Sequence, residues 1–133
     1  MKIILVCTAV LVLFYFVLSL LVSMTRGRTK TGIGTGDDPD GPMSKAVRAH
    51  ANAAEYIPLF VALFIFLLLT GADGVFIVAT VVIITVSRIL HALGMFMTTT
   101  FRAKPHPLRA LGALGTYFGG FALGVVILLR ALL

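Results

Sequence analysis

RAHANAAEYIPLF, residues 48–60, joins a polar helical face to an apolar run that continues toward residue 70. On a helix Arg48, Asn52 and Glu55 fall at i, i+4 and i+7, with Tyr56 at i+8, so they share one side. The alanines between them, Ala49, Ala51, Ala53 and Ala54, are small and helix-favouring. A charge at the centre of a spanning helix costs about 2.5 to 3.5 kcal/mol on insertion scales. The polar face should therefore point at partner helices, water or a ligand.

Around this stretch, the 133 residues are 59% hydrophobic and only 12% charged, with a mean hydropathy of +1.08. That balance excludes a soluble domain of this size and identifies a polytopic membrane protein. Apolar runs cover 3–24, 57–70, 75–97 and 108–133. An α-helix rises about 1.5 Å per residue, so about 20 residues cross the hydrocarbon. The second run reaches that length once the polar-faced residues before it are counted, as 51–70. With no alternating strand pattern, the fold class is all-α: one four-helix transmembrane domain over 1–133, with helices over about 3–24, 44–70, 75–97 and 108–131 and loops over 25–43 and 98–107.

The formal charge of +6 does not describe a nucleic-acid surface, because the basic residues are dispersed over short loops. Of 11 Lys and Arg, Arg26, Arg28, Lys30, Lys45 and Arg48 lie in or beside the first loop and Arg102, Lys104 and Arg109 in or beside the third. Residues 71–74 carry only Asp73. By the positive-inside rule loops one and three are cytoplasmic and both termini face outward, where Lys2 and Arg130 snorkel to the interface. The first run exceeds the roughly 7 to 15 apolar residues of a signal peptide and no A-x-A site follows, so it reads as a retained helix. Cys7, the only cysteine, lies inside that helix, can form no internal disulfide and is a poor candidate for a catalytic thiol.

The first loop, RGRTKTGIGTGDDPDGP, is irregular by composition. Its Gly32, Gly34, Gly36 and Gly41 lack the preceding strand and the Lys-Ser/Thr ending of a phosphate loop. Asp37, Asp38 and Asp40 lack the twelve-residue calcium pattern, so no metal site is expected. Ser44 is placed to cap the second helix, just after Pro42. The tetrapeptide GADG, 71–74, forces an antiparallel hairpin in which residues of helices two and three share a depth where their numbers add to about 145. Glu55 then sits level with Arg88, Asn52 with His91 and Arg48 with Met95. Arg88, His91 and Met95 themselves share a face at i, i+3 and i+7. A Glu55–Arg88 pair is expected, as an ion pair orienting two helices, as part of a ligand site, or as both.

The third loop, TTTFRAKPHPLR, gathers Arg102, Lys104, His106 and Arg109, a cluster suited to lipid headgroups or an anionic ligand. Arg109 stands apart because it follows Pro107 by two residues and is held by the first turn of helix four. His106, between prolines, reads as a solvated loop residue, and Tyr117 as core. Helix four carries Gly112, Gly115, Gly119, Gly120 and Gly124; the pairs 115 with 119 and 120 with 124 have the small-xxx-small spacing of close helix packing.

RAHANAAEYIP closely resembles the signature of the MAPEG family, membrane-associated proteins of eicosanoid and glutathione metabolism. The likeness extends to the four spans, the polar-headed second helix, SRILHALGMF in helix three and P-x-P-x-R opening helix four. It implies a homotrimer of four-helix subunits with glutathione held between neighbours near the cytoplasmic face. By position, Arg48, Asn52 and Glu55 match family residues that bind glutathione, and Tyr56 matches a tyrosine of the branch that makes cysteinyl leukotrienes. Arg88 and His91 match the R-x-x-H of the microsomal glutathione transferase and prostaglandin synthase branches. Arg109 aligns best with the arginine that stabilises the glutathione thiolate. Arg102 is its rival, because the loop before Arg109 differs in length from the eicosanoid branches. Met95 stands where many members have a tyrosine.

The resemblance thus implies a glutathione-dependent transferase or peroxidase of a bacterial-type inner membrane, with its active site on the cytoplasmic side. Glutathione would be the co-substrate and a hydrophobic electrophile or lipid hydroperoxide would enter from the bilayer, in a detoxification role. Glutathione carries two carboxylates, an ammonium and a thiol. Arginine forks fit the carboxylates and Glu55 fits the ammonium. Lowering a thiol pKa from about 8.5 by about two units takes about 2.7 kcal/mol, which one arginine in a low-dielectric site can supply. The alternative is a non-catalytic member that binds lipid or a partner protein, a reading favoured by the loss of the hydroxyl at Met95. A small multidrug exporter would place a carboxylate in helix one, which has none.

Overall fold

The computed structural model describes residues 1–102 and 104–132, so Ala103 of the third loop and Leu133 lie outside the described residues. Four helices make up most of the chain: α1 Lys2–Thr29, α2 Pro42–Leu69, α3 Val75–Met97 and α4 Pro107–Leu132. All four are long and apolar enough to cross a membrane. Even the 23 residues of α3 exceed the roughly 30 Å of hydrocarbon at about 1.5 Å per residue. The chain is an all-α, multi-pass membrane protein.

The helix ends are set by local chemistry. α1 runs past its apolar stretch because Arg26 ties down the start of the first loop: its Nη1 donates to the carbonyls of Thr31 at 3.3 Å and Gly32 at 3.1 Å. Lys30 turns left-handed (φ 54°) to close the helix. α2 begins at Pro42, whose fixed φ suits a first helical position and whose missing N–H would have had no partner there. Ser44 therefore does not cap α2; it is buried as the third residue of the helix, and its hydroxyl accepts the Arg48 Nε–H at 3.3 Å. His106 is half-buried rather than solvated, and its Nδ1 accepts the Leu108 N–H at 3.3 Å at the start of α4. Between α2 and α3, Gly71 (φ +65°) makes the reversal, with the Ala72 N–H returning to the Leu67 carbonyl at 2.9 Å.

α1 packs mainly on α2, and α4 mainly on α3, while α3 also touches α2 and α1. The core is an apolar seam in which Ile4, Leu11 and Leu18 of α1, at seven-residue spacing, join Ile57, Phe60, Phe64 and Leu67 of α2 and Val81 and Ile84 of α3. Large side chains on the other faces, among them Leu13, Phe16, Phe118 and Phe121, are exposed, as suits a bilayer and not water. The closest helix approach is α3 on α4. A Cβ added at Gly94 would strike the Arg109 backbone, at Gly112 the His91 amide and Ser87 carbonyl, at Gly115 Ser87 Oγ and at Gly119 the Ile84 side chain. The small-residue pair 115 with 119 thus serves this interface. The pair 120 with 124 does not: among the described residues a Cβ added at Gly120 meets only Phe60 within 4 Å, and one at Gly124 meets nothing in that range.

Candidate functional site

Arg88 sits inside the bundle, 2% exposed. Its Nη2 donates to Asn52 Oδ1 at 2.6 Å and to the Asn52 carbonyl at 3.2 Å. Nη1 donates to Thr116 Oγ1 at 3.3 Å, and the guanidinium carbon lies 4.9 Å from the Tyr56 ring centroid. Its Nε is buried without a hydrogen-bond partner among the described residues. Oxygen acceptors and an aromatic face replace most of the water this cation gives up, which is what makes its burial tolerable. Asn52 and Tyr56 are four residues apart on α2, so one guanidinium meets both.

The expected Glu55–Arg88 pair does not form. Among the described residues the one ion pair joins the N-terminal ammonium to Asp73 Oδ2 at 3.3 Å, both exposed. Glu55 is exposed on the outside of the four-helix bundle. The depth relation between α2 and α3 holds to within a helical turn, but α2 is rotated so that Asn52 and Tyr56, not Glu55, face inward. Successive helical residues are roughly 100° apart, which is enough to turn Glu55 away.

One turn along α3, His91 is buried and its Nδ1 lies 2.9 Å from the Arg109 carbonyl. A carbonyl only accepts, so Nδ1 carries the hydrogen. This bond and the Gly94 contact fix the first turn of α4 against α3. Met95 is buried.

Arg48 and Arg109 converge on Phe101, their guanidinium carbons 4.8 Å and 5.5 Å from its ring centroid. The Phe101 N–H donates to Asp40 Oδ1 at 2.7 Å, which ties the third loop to the first. That N–H is the main reason the Asp40 carboxyl is held below its ordinary value of 3.8; the Thr100 side chain comes next, and Arg102 and Lys45 add less, against a desolvation that raises it. Arg102 is exposed beside this group, so of the two rival arginines it is Arg109 that the fold brings to Arg48. Phe101 and Asp40 escaped the sequence reading. Their only signal was a lone aromatic in a basic loop and an acidic turn with no metal pattern.

Tyr117 is half exposed rather than core. Its ring lies 6.2 Å from that of Tyr56, and both line a groove of about 260 Å³ with Leu59, Phe60, Leu63 and Phe121. Thr116, which accepts from Arg88, also lines it, so the mostly apolar groove is bordered by the threonine that meets the buried cation.

Comparison with known proteins agrees with this architecture. The inner membrane protein YecN of Escherichia coli (strain K12) is 30% identical over 86 residues, covering 60% of this chain and 66% of that protein, just under two thirds of its length. YecN of Escherichia coli O6:H1 matches to the same extent. The model of the MAPEG family matches residues 4–129, nearly end to end, and the chain belongs to that family.

Proposed function

We propose that the protein binds glutathione and uses its thiolate against hydrophobic electrophiles or peroxides, as a membrane-bound transferase or peroxidase. The observation that carries this reading is a complementary charge set. Glu55 presents an exposed carboxylate two helical turns from Arg48, which shares Phe101 with Arg109. A ligand with two carboxylates, an ammonium and an acidic thiol matches cations and carboxylate so arranged. In this reading Arg48 takes a carboxylate, Glu55 the ammonium and Arg109 the thiolate. Arg88 and His91 act from below, Arg88 by fixing Asn52 and Tyr56, His91 by fixing the Arg109 turn. The groove beside Tyr56 and Tyr117 takes the hydrophobic partner. Because Glu55 and the groove face out of the single subunit, a second copy must enclose the ligand, and a homotrimer is the assembly we propose.

The test is the ultraviolet absorbance of thiolate when glutathione is titrated at neutral pH into purified protein, for wild type, Arg109→Ala and Arg102→Ala. The expected result is a saturable signal lost only with Arg109. No signal in the wild type removes the enzyme reading. A second reading, a non-catalytic binding member, is favoured by buried Met95, which offers no hydroxyl. Saturable glutathione binding without thiolate or turnover of a chromogenic electrophile would support it.

A further inference from the structure

We infer that Phe101 is a positioning residue that holds the Arg48 and Arg109 guanidinia in one fixed arrangement, and that Asp40 is the latch that keeps Phe101 in place. The two arginines come from different helices and carry like charges, so with nothing between them they would diverge and their long side chains would sample many rotamers. An aromatic face attracts a cation within about 6 Å of its centroid, and both guanidinium carbons lie inside that range of a single ring. Arg48 is steadied from its other side by Ser44.

A ring in a loop can organise two helices only if the loop is itself tied down. The Phe101 N–H donates to the ionised Asp40 carboxylate at 2.7 Å, a charge-assisted bond. Asp40 is seated in a turn of its own, where its N–H donates to Asp38 Oδ1 at 2.9 Å and the Gly41 N–H donates to the Asp38 carbonyl at 3.1 Å. The acidic turn of the first loop, which fits no metal pattern, thus has a physical task, and the order of dependence runs Asp38, Asp40, Phe101, then Arg48 and Arg109. A pair of cations held in advance lowers the ordering cost of capturing a dianionic ligand. That ligand is glutathione on the reading above, on which this part of the inference rests.

Three variants separate the ring face, the apolar bulk and the latch. Phe101→Leu keeps bulk without an aromatic face, Phe101→Tyr restores the face, and Asp40→Ala frees the loop with the ring intact. The ligand-free readout is the guanidinium Nε–H resonances of 15N-labelled protein, with Arg48 and Arg109 assigned by substitution. In wild type both should be displaced by the ring current; Phe101→Leu should abolish the displacement, Phe101→Tyr keep it and Asp40→Ala average it. Glutathione binding should weaken about fivefold in Phe101→Leu, equivalent to about 1 kcal/mol, and return in Phe101→Tyr. Undisplaced resonances in wild type overturn the inference. So does tighter glutathione binding in Phe101→Leu, which would make the ring a plug. If wild type binds no glutathione while the displacement is present, the transferase reading falls and the positioning role stands.

Discussion

Asn52 is the residue on which the buried cation most depends, since it alone offers Arg88 two oxygens. Asn52→Ala leaves a desolvated guanidinium short of an acceptor, and a hydrogen bond to a charged group is worth about 1.5 to 3 kcal/mol. The variant should unfold at a clearly lower temperature in detergent, whereas Asn52→Asp, which supplies a carboxylate, should hold or raise the midpoint. Glu55→Gln should behave in the opposite way: little-changed unfolding, because Glu55 forms no ion pair among the described residues, but, on the proposed function, glutathione affinity at least about tenfold lower, measured by calorimetry, for loss of the charge proposed to meet the ammonium. That Arg88 needs a polar partner from α2 was legible, because a charge in an apolar run has few alternatives. Which partner it takes was not. Hairpin arithmetic gives depth, but the rotation of α2 is set by a seam that continues from Ile57, Phe60 and Phe64 through buried Ala49 and Ala53, and alanines read as spacers give no sign of an inward face.

At the scale of elements, α3 and α4 are held together by the absence of side chains. Gly94→Ala must push the Arg109 backbone away and with it the carbonyl that His91 holds. Overpacking of this kind costs about 1 to 3 kcal/mol, and the thiolate signal should fall along with the unfolding midpoint. Gly124→Ala, with open space around it, serves as the control and should hold or raise the midpoint through helix propensity. The two loops give a pH prediction with a definite sign. The Asp40 carboxyl is depressed below 3.8 in the folded protein, so its contribution to the loop junction is complete above 3.8 and is lost as pH falls through the lower folded value. Hydrogen exchange at the Phe101 amide should accelerate over that acid interval relative to neighbouring loop amides, and Asp40→Ala should remove the step. Spans and turns were readable because hydrophobic length and GADG dictate them. The loop-to-loop bond was not, since a single carboxylate–amide contact across 61 residues leaves no local pattern.

For the whole molecule, the apolar faces raise a question that composition leaves open, because a face against lipid and a face against a second subunit are equally hydrophobic. Exposed Glu55 breaks that symmetry: a carboxylate on a spanning helix is expensive against hydrocarbon, so its side of α2 is the face to which we assign the proposed ligand and the proposed second copy. Orientation is tied to the same functional logic. Arg48, Phe101 and Arg109 gather at the end of the bundle where the first and third loops meet, the end that carries most of the Lys and Arg. By the positive-inside rule we propose that this end is cytoplasmic, the side on which the proposed co-substrate glutathione is found. The single cysteine makes this directly measurable. In a Cys7→Ser background, Gly74→Cys places a thiol in the turn at the opposite end, where a Cβ meets nothing, and Ile33→Cys places one in the first loop at a site 94% exposed. An impermeant maleimide applied to intact cells should label position 74 at once and position 33 only after permeabilisation. The reverse pattern would put the arginine pair outside, away from cytosolic glutathione, and the proposed reaction would lose its co-substrate.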